Sequence, residues 1–260
     1  MRALLFLFYF IVACRGTVLK RWPVYIESTD AFGMMFYATM PVLVERSLQV
    51  EQGSDALLQS FKLMKLKSPA RLGDVLELSC DNGKIKCISQ NSEVIFTATK
   101  AVLRTNQEDE EEAETEEVVG QHTSAFVLFP DEVGAGGALP TRTIFNLFER
   151  GRTDVLGGPS QLAAAQSSNN HVYVARISNY NRRRSHQDSE GLRPSSVQVI
   201  SQTEPVGDSI VEFTQFCVVD GALSASAKIT CCSVDANTGL PAPFRQILRD
   251  KLFPSGSLNR

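Results

Sequence analysis

An aspartate, Asp30, stands three residues before Gly33 and ahead of a stretch of apolar and aromatic residues that reaches Glu45. A carboxylate can attack a carbonyl carbon or take a proton from water. An aspartate in front of a helix is also a common turn or capping residue. The first backbone amides of a helix have no partner inside it and can hold the oxygen of a polarised carbonyl group. The residue types therefore fit acyl-transfer chemistry and leave a purely structural role for Asp30 open.

The apolar residues after this turn recur with the period of a helix. Four of them fall at i, i+3, i+4 and i+8 on one helical face: Met40, Leu43, Val44 and Leu48. Three others repeat the first three positions later in the chain: Ile144, Leu147 and Phe148. Thr39 and Thr141 are predicted N-caps, because a threonine hydroxyl can accept a hydrogen bond from the free amides of a first turn.

Two segments carry the same order of features: a β-like run, an acidic turn, this helix and further β-like runs. The first β-like run is 23–26 in the first segment and 126–129 in the second. Asn82-Gly83 and Asp220-Gly221 are typical of tight hairpin turns, since such residues tolerate positive φ. They predict hairpins between strands 75–80 and 84–89, and between strands 212–219 and 223–234. A polar stretch at 179–195 is predicted to interrupt one long strand from His171 to Ser201.

A long helix with one apolar face must bury that face against the antiparallel strands beside it. The sequence therefore predicts an α+β fold with two units, 20–104 and 123–260, joined by an acidic linker at 105–122. The second unit carries the polar insertion at 179–195.

The residues at 1–16 resemble a signal-like leader, because Met1 and Arg2 precede an apolar run at 3–13 that is too short to span a bilayer comfortably. This interpretation predicts the secretory pathway or a signal-led organelle and no stable membrane span. The alternative is a buried first strand, which would predict a cytoplasmic protein.

The formal net charge of −3 includes eight carboxylates between Glu108 and Glu117, so the rest of the chain carries about +5 (−3 plus 8). Three arginines at 182–184 lie among polar residues, which favours an exposed loop over a nucleic-acid site. The six cysteines have no metal-ligand spacing and are predicted to be free thiols. We therefore expect no metal, no cofactor and no nucleic-acid partner.

The segment from Asp30 to Thr39, with Val44-Glu45-Arg46 after it, resembles the 4-hydroxybenzoyl-CoA thioesterase-like family of the hotdog superfamily. The run from Lys67 to Leu78 is similar to the strand junction of the same family. The resemblance covers about 22–104 well and 123–235 more loosely. It implies two tandem hotdog units, each a long helix wrapped by an antiparallel sheet, which pair as in double-hotdog enzymes.

The resemblance also implies roles for individual residues. Asp30 would be the catalytic carboxylate, as a nucleophile or general base, and the backbone amide of Tyr37 or a neighbour would be the oxyanion donor. Glu45 would support the site, unless it is an ordinary exposed helix glutamate. Gly33 and Phe36 would contact the substrate.

The second unit departs from this pattern. Asp131 precedes Glu149 by 18 residues, whereas Asp30 precedes Glu45 by 15, and glycines replace the apolar and aromatic residues. This difference predicts one working site, with Gly134 and Gly136 bringing backbone close to the ligand.

The expected function is hydrolysis of an acyl thioester, carried by coenzyme A or by acyl carrier protein. A serine hydrolase is disfavoured because the chain has no GxSxG motif. A dehydratase is disfavoured because the three histidines lie outside the turn and helix. The alternative is a hotdog protein that binds acyl ligands or partners without catalysis. Assembly into a homo-oligomer is left open.

Overall fold

The computed structural model describes residues 20–24, 35–103, 121–134, 138–167, 169–183 and 196–252. The predicted leader and most of the acidic linker lie outside these residues, as do Asp30, Gly33 and Gly136. Within the described residues, no helix is long and apolar enough to cross a lipid bilayer.

The described part of the chain contains two sets of elements in nearly the same order. The first set is β1 (Lys20–Pro23), α1 (Thr39–Gln52), β2 (Leu58–Leu66), β3 (Val75–Asp81), β4 (Lys84–Ser89), β5 (Val94–Thr99) and β6 (Val102–Leu103). The second set is β7 (His122–Phe126), a 3-10 helix (Pro130–Glu132), α2 (Thr141–Val155), α3 (Pro159–Ser167), β8 (Asn170–Arg182), β9 (Val197–Pro205), β10 (Ile210–Val219), β11 (Ala222–Asp235) and α4 (Gln246–Leu252).

The strands form one antiparallel sheet in the order β1-β3-β4-β5-β2-β8-β11-β10-β9-β7, with β6 beside β2. Read outward from its centre, each half repeats the other: β2 corresponds to β8, β5 to β11, β4 to β10, β3 to β9 and β1 to β7. The two halves meet where β2 pairs with β8, with Phe61 opposite Tyr180. The sheet therefore runs without interruption from one half to the other.

Each helix packs its apolar stripe on the sheet of its own half, and the two helices touch each other. The seven apolar helix residues predicted from the sequence are all at most 3% exposed. Between the halves, the ring of Phe145 on α2 lies 4.9 Å from that of Tyr180 and 6.3 Å from that of Phe61. The core is therefore continuous between the two halves.

Both predicted hairpins are confirmed. Asn82 and Gly83 have φ of 48° and 69°, and Asp220 and Gly221 have φ of 47° and 84°. All four angles lie in the left-handed region that these residue types tolerate.

The two N-cap predictions are wrong. α1 is preceded by Ala38, which makes no side-chain cap, and the amide of Thr39 already donates to the carbonyl of Phe36. α2 is preceded by Pro140, and the hydroxyl of Thr141 donates to Glu45 instead of capping its own helix. At α2, a contact between the halves thus takes the place of the predicted cap.

Two strand predictions are also wrong. β7 ends at Phe126, opposite Val197, where β9 begins, so residues 127–129 have no strand to pair with. The run from His171 to Ser201 is not one interrupted strand, because β8 and β9 lie on opposite sides of β11 and β10. β8 continues to Arg182, so the first four residues of the predicted insertion at 179–195 belong to a strand.

Candidate functional site

At the start of α1, two backbone amides have no hydrogen-bond partner among the described residues. The amides of Thr39 and Met40 donate to the carbonyls of Phe36 and Tyr37, both at 3.0 Å, and Pro41 has no amide hydrogen. No described residue accepts a hydrogen bond from the amides of Tyr37 or Ala38. These two amides are the donors that remain for a ligand oxygen at this helix start.

Neighbouring chain segments hold this helix start in place. The amide of Met35 donates to the carbonyl of Ala70 at 2.8 Å, which attaches the approach to α1 to the loop before β3. Phe36, a predicted substrate contact, is 46% exposed, so its side chain is accessible beside the open amides. Asp30 and Gly33, which precede this turn in the chain, lie outside the described residues.

The side chain of Tyr37 reaches across to the second half. Its hydroxyl donates to the carbonyl of Phe145 on α2 at 2.7 Å, and the guanidinium carbon of Arg152 lies 4.8 Å from the centre of its ring. Burial raises the pKa of Tyr37, so the hydroxyl stays protonated and continues to donate. The start of α1 is thereby fixed against the second and the last turns of α2.

Arg152 is the centre of a buried polar cluster that the sequence did not predict. It is 3% exposed, donates to Oε1 of Gln215 at 2.8 Å and forms an ion pair with Glu149. The amide nitrogen of Gln215 donates in turn to the carbonyl of Phe148 and to the hydroxyl of Ser201. Every member of the cluster has a partner, so its burial is compatible with a stable core.

Gly151 makes room for this cluster. A Cβ atom at this position would lie 2.6 Å from Cγ1 of Val199 and 3.2 Å from Nε2 of Gln215. Glycine inside a helix costs about 1 kcal/mol relative to alanine. The close approach of α2 to β9 and β10 explains why glycine stands there. A glycine inside an otherwise strong helical pattern was the one sequence signal for this contact.

Glu45 lies in the middle of α1 and contacts the start of α2. It is 8% exposed, and its Oε2 accepts from the amide of Leu58 at 2.7 Å and from the hydroxyl of Thr141 at the first position of α2. The interpretation as an exposed glutamate is therefore wrong. Tyr37 is eight residues away along the chain, or about 12 Å at helical rise. The described contacts of Glu45 thus join the two halves at the start of α2 and do not reach the start of α1.

Replacement of Glu45 by alanine is expected to lower the free energy of unfolding by about 2 kcal/mol, because the buried amide of Leu58 would lose its acceptor. Glu45→Gln retains an oxygen and should cost less. Gln52→Ala, at an exposed position in the last turn of the same helix, is the matched control and should stay within about 0.5 kcal/mol of wild type. Urea unfolding of the three variants measures these differences. Equal values for Glu45→Ala and Gln52→Ala would contradict the role of Glu45.

The corresponding turn of the second half is engaged in internal contacts. Glu132 pairs with Arg150 on α2 and accepts from the amide of Phe129 at 3.0 Å. Although burial opposes its charge, these hydrogen bonds hold the pKa of Glu132 below its usual value. Asp131 is exposed. The described carboxylates of this turn therefore face an internal partner or solvent.

Gly134 follows this turn. Its amide donates to the carbonyl of Ala138 at 2.9 Å, and a Cβ atom would lie 3.0 Å from that same oxygen. The absence of a side chain at Gly134 thus lets the carbonyl of Ala138 approach its backbone in front of α2. Gly136 lies outside the described residues.

The five described cysteines are all free thiols, as predicted. Burial raises the pKa of Cys217 to about 12, and the pKa of Cys231 is raised to about 11, again chiefly by burial. These thiols stay protonated near neutral pH, which leaves them poor nucleophiles. In the part of the chain that the structure describes, no three His, Cys, Asp or Glu side chains cluster as metal ligands would.

No protein-family model matches the chain, and no curated protein matches it in sequence. Among solved structures, a proposed oleoyl thioesterase from Lactobacillus plantarum aligns with a TM-score of 0.57 at 8% identity, covering 85% of this chain and 98% of its own. The 12:0-ACP thioesterase from Umbellularia californica aligns with a TM-score of 0.55 at 6% identity, covering 84% and 94%. An acyl-ACP thioesterase from Bacteroides thetaiotaomicron VPI-5482 aligns with a TM-score of 0.50 at 8% identity, covering 83% and 97%.

The chain has a double-hotdog fold. The likeness spans both halves, and at these identities it is a likeness of fold. The fold class predicted from the sequence, an α+β arrangement of two tandem hotdog units, is confirmed.

The two hotdog units place each helix start against the other unit. Tyr37 at the start of α1 contacts Phe145 and Arg152 of α2, while Thr141 at the start of α2 contacts Glu45 of α1. The helices therefore run antiparallel, and the sheet supports two helix starts at separate positions. Only the first of these follows the aspartate, glycine and aromatic motif in the sequence.

Proposed function

We propose that this double-hotdog protein hydrolyses acyl thioesters at the start of α1. The observation that carries the proposal is the pair of open amides at Tyr37 and Ala38, which follow Asp30 closely in the chain and are held against the second unit by the Tyr37 hydroxyl. A carbonyl oxygen placed on these amides would be polarised by the positive end of the helix dipole.

The proposed chemistry uses Asp30 in one of two ways. As a nucleophile, its carboxylate attacks the thioester carbon and expels the thiolate, and water then hydrolyses the acyl-aspartyl anhydride. As a general base, it takes a proton from water while that water attacks the same carbon. Both routes consume one water and yield a carboxylic acid and a thiol. In both, negative charge develops on the carbonyl oxygen, where the two amides would donate.

Other residues have supporting roles in this proposal. Gly33 lets the backbone approach the ligand, and the accessible side chain of Phe36 contacts the substrate beside the open amides. Glu45 acts at a distance, because it fastens α1 to the second unit and so fixes the direction of the helix. Gly134 and Gly136 would contribute backbone from the second unit. This assignment extends the resemblance to the 4-hydroxybenzoyl-CoA thioesterase-like family.

The substrate is proposed to be an acyl chain carried by acyl carrier protein or coenzyme A. Two of the three similar structures that span most of this chain are described as acyl-ACP thioesterases, and the third as an oleoyl thioesterase. Acyl-ACP of medium and long chain length is therefore the first substrate class to test.

The purified chain is expected to release free thiol from acyl-ACP or acyl-CoA, measured with a chromogenic thiol reagent across acyl lengths from four to eighteen carbons. Heat-denatured protein gives the background rate. A rate at background for every acyl length on both carriers would overturn the proposal and favour a hotdog protein that binds acyl ligands without catalysis.

A further inference from the structure

Two buried side chains on the inner face of β8 have donor atoms without a hydrogen-bond partner among the described residues. Arg182 is 5% exposed, and no described residue accepts a hydrogen bond from its Nε or Nη1. Tyr180 is 1% exposed, and its hydroxyl likewise has no partner among the described residues. The two residues are separated by one position on a strand, so their side chains lie on the same face of the sheet.

The register of the sheet places small or uncharged side chains of the described strands beside Arg182. Arg182 lies opposite Ala225 on β11, and Ala225 lies opposite Cys217 on β10. Ala225 presents only a methyl group to Arg182. The guanidinium lowers the pKa of the buried Cys217 thiol, which burial raises more strongly. That thiol is neutral near pH 7, since burial raises its pKa to about 12. No described carboxylate forms an ion pair with Arg182.

The carboxylate of Glu45, which interacts with Tyr180, does not fill this role. Glu45 is close enough to Tyr180 to raise its pKa further, after the larger effect of burial, but its Oε2 is taken by Leu58 and Thr141. A buried guanidinium with two unpaired nitrogens is costly unless an anion joins it. The planar guanidinium group can donate two parallel hydrogen bonds to the two oxygens of a carboxylate. The raised pKa of Tyr180 keeps its hydroxyl a donor, so it can supply a third hydrogen bond.

The surroundings of these donors are aromatic. The ring of Tyr180 stacks on Phe61 at 5.2 Å and lies 4.9 Å from Phe145. Such surroundings suit a carboxylate attached to an apolar chain better than an anion attached to a polar group. We propose that Arg182 and Tyr180 bind the carboxylate of a free fatty acid.

This site is separate from the start of α1. Arg152, which packs on Tyr37, interacts with Cys231 on β11, whereas Arg182 lies beside Ala225 on the same strand. Six residues of a strand span about 20 Å. Arg182 therefore lies toward the other end of β11 from the residues that contact Tyr37, although Phe145 touches both the Tyr180 ring and the Tyr37 hydroxyl. The proposed carboxylate site uses Arg182 and Tyr180 and not the Tyr37 amides.

Isothermal titration calorimetry with octanoate and octan-1-ol tests the proposal, because the two probes share a chain and differ in charge. Octanoate is expected to bind wild type at one site per chain and about ten-fold more tightly than octan-1-ol, or about 1.4 kcal/mol. Arg182→Met should weaken octanoate binding by about ten-fold or more and leave octan-1-ol binding unchanged. Tyr180→Phe keeps the ring and should weaken octanoate by about three-fold, as expected for one neutral hydrogen bond.

Arg176→Met is the matched control, because Arg176 lies on the same strand and pairs with Glu212 at an accessible position. It should bind octanoate as wild type does. Arg182→Lys keeps the charge but cannot donate two parallel hydrogen bonds, so it should give intermediate affinity. It replaces Arg182→Met if that variant does not fold. Equal affinity of wild type for acid and alcohol, or octanoate binding by Arg182→Met and Arg182→Lys equal to that of Arg176→Met, would overturn the site.

The measurement involves no turnover, so its outcome is independent of the proposed hydrolysis. Octanoate binding by a chain that releases no thiol from acyl-ACP would support the fatty-acid site and count against the hydrolase. Thiol release from acyl-ACP by a chain that binds octanoate no more tightly than octan-1-ol would support the hydrolase and count against the fatty-acid site.

Discussion

Asparagine in place of Asp30 is expected to lower kcat for acyl-thioester hydrolysis by about 10²- to 10⁴-fold. The amide of asparagine neither attacks a carbonyl carbon nor takes a proton from water, while its size is nearly that of aspartate. KM should change little, because the amides at Tyr37 and Ala38 and the exposed Phe36 remain. Steady-state thiol release from the best acyl-ACP substrate, with kcat and KM determined separately, measures the effect.

Asp131→Asn is the matched control for this variant. Asp131 occupies the corresponding turn of the second unit and is exposed, while its neighbour Glu132 is held by Arg150. Its substitution should leave kcat within about two-fold, as surface substitutions usually do. Should the Asp30 variant keep a third or more of the wild-type kcat, the reactive carboxylate would have to be sought elsewhere in the chain.

The local elements could be predicted because their determinants are local. The period of Met40, Leu43, Val44 and Leu48 depends only on residues within one helix, and all four are buried. The hairpin at Asn82-Gly83 depends on two residues that tolerate positive φ. The order of such elements, repeated twice, was enough to predict two units of one fold.

The contacts between the units could not be read in the same way. Tyr37 meets the carbonyl of Phe145 from 108 positions away, and Thr141 meets Glu45 from 96 positions away. A periodic pattern in the sequence carries no information about contacts between residues so far apart in the chain. The N-cap prediction for Thr141 was wrong because α2 begins at Thr141 itself, after Pro140, and its hydroxyl is turned toward the buried carboxylate of Glu45. Thr141, which appeared to cap its own helix, contacts the opposite one.

The strand errors have a related cause. The run from His171 to Ser201 has apolar residues at both ends and a polar middle, which a single interrupted strand would also show. β8 and β9 are placed apart in the sheet by β10 and β11, which come later in the chain. Strand order is a property of the assembled sheet, and here the first unit provides the only guide, through the correspondence of β8 with β2 and of β9 with β3.

The contacts between the two units also determine the stability of the folded protein. The helices are antiparallel, so the start of each is supported by the middle of the other, and the open amides of α1 depend on α2 for their position. Phe145 is at the centre of this support. Its carbonyl receives the Tyr37 hydroxyl, and its ring packs on Phe61 of the first unit and on Tyr180 and Phe148 of the second.

Phe145→Ala is therefore expected to lower the free energy of unfolding by about 3–5 kcal/mol, the range for removing a fully buried phenylalanine ring. The ring is fully buried and touches both units, so the cavity it leaves cannot be closed by the movement of one unit alone. Urea unfolding followed by far-UV circular dichroism measures the change. An unaltered m-value would show that both units still unfold together.

Phe129→Ala is the control, because Phe129 lies ahead of the 3-10 helix and is 61% exposed. This substitution should lower the free energy of unfolding by less than about 0.5 kcal/mol. A loss of under 1 kcal/mol for Phe145→Ala would mean that the rings around it repack freely, and that the aromatic contact adds little to the β2–β8 pairing and the polar contacts that also join the two units. A large loss with a single transition would mean that the aromatic contact and the sheet act as one cooperative core. In that case the position of the α1 amides, and with it the proposed hydrolysis, depends on the second unit even though the reactive aspartate belongs to the first.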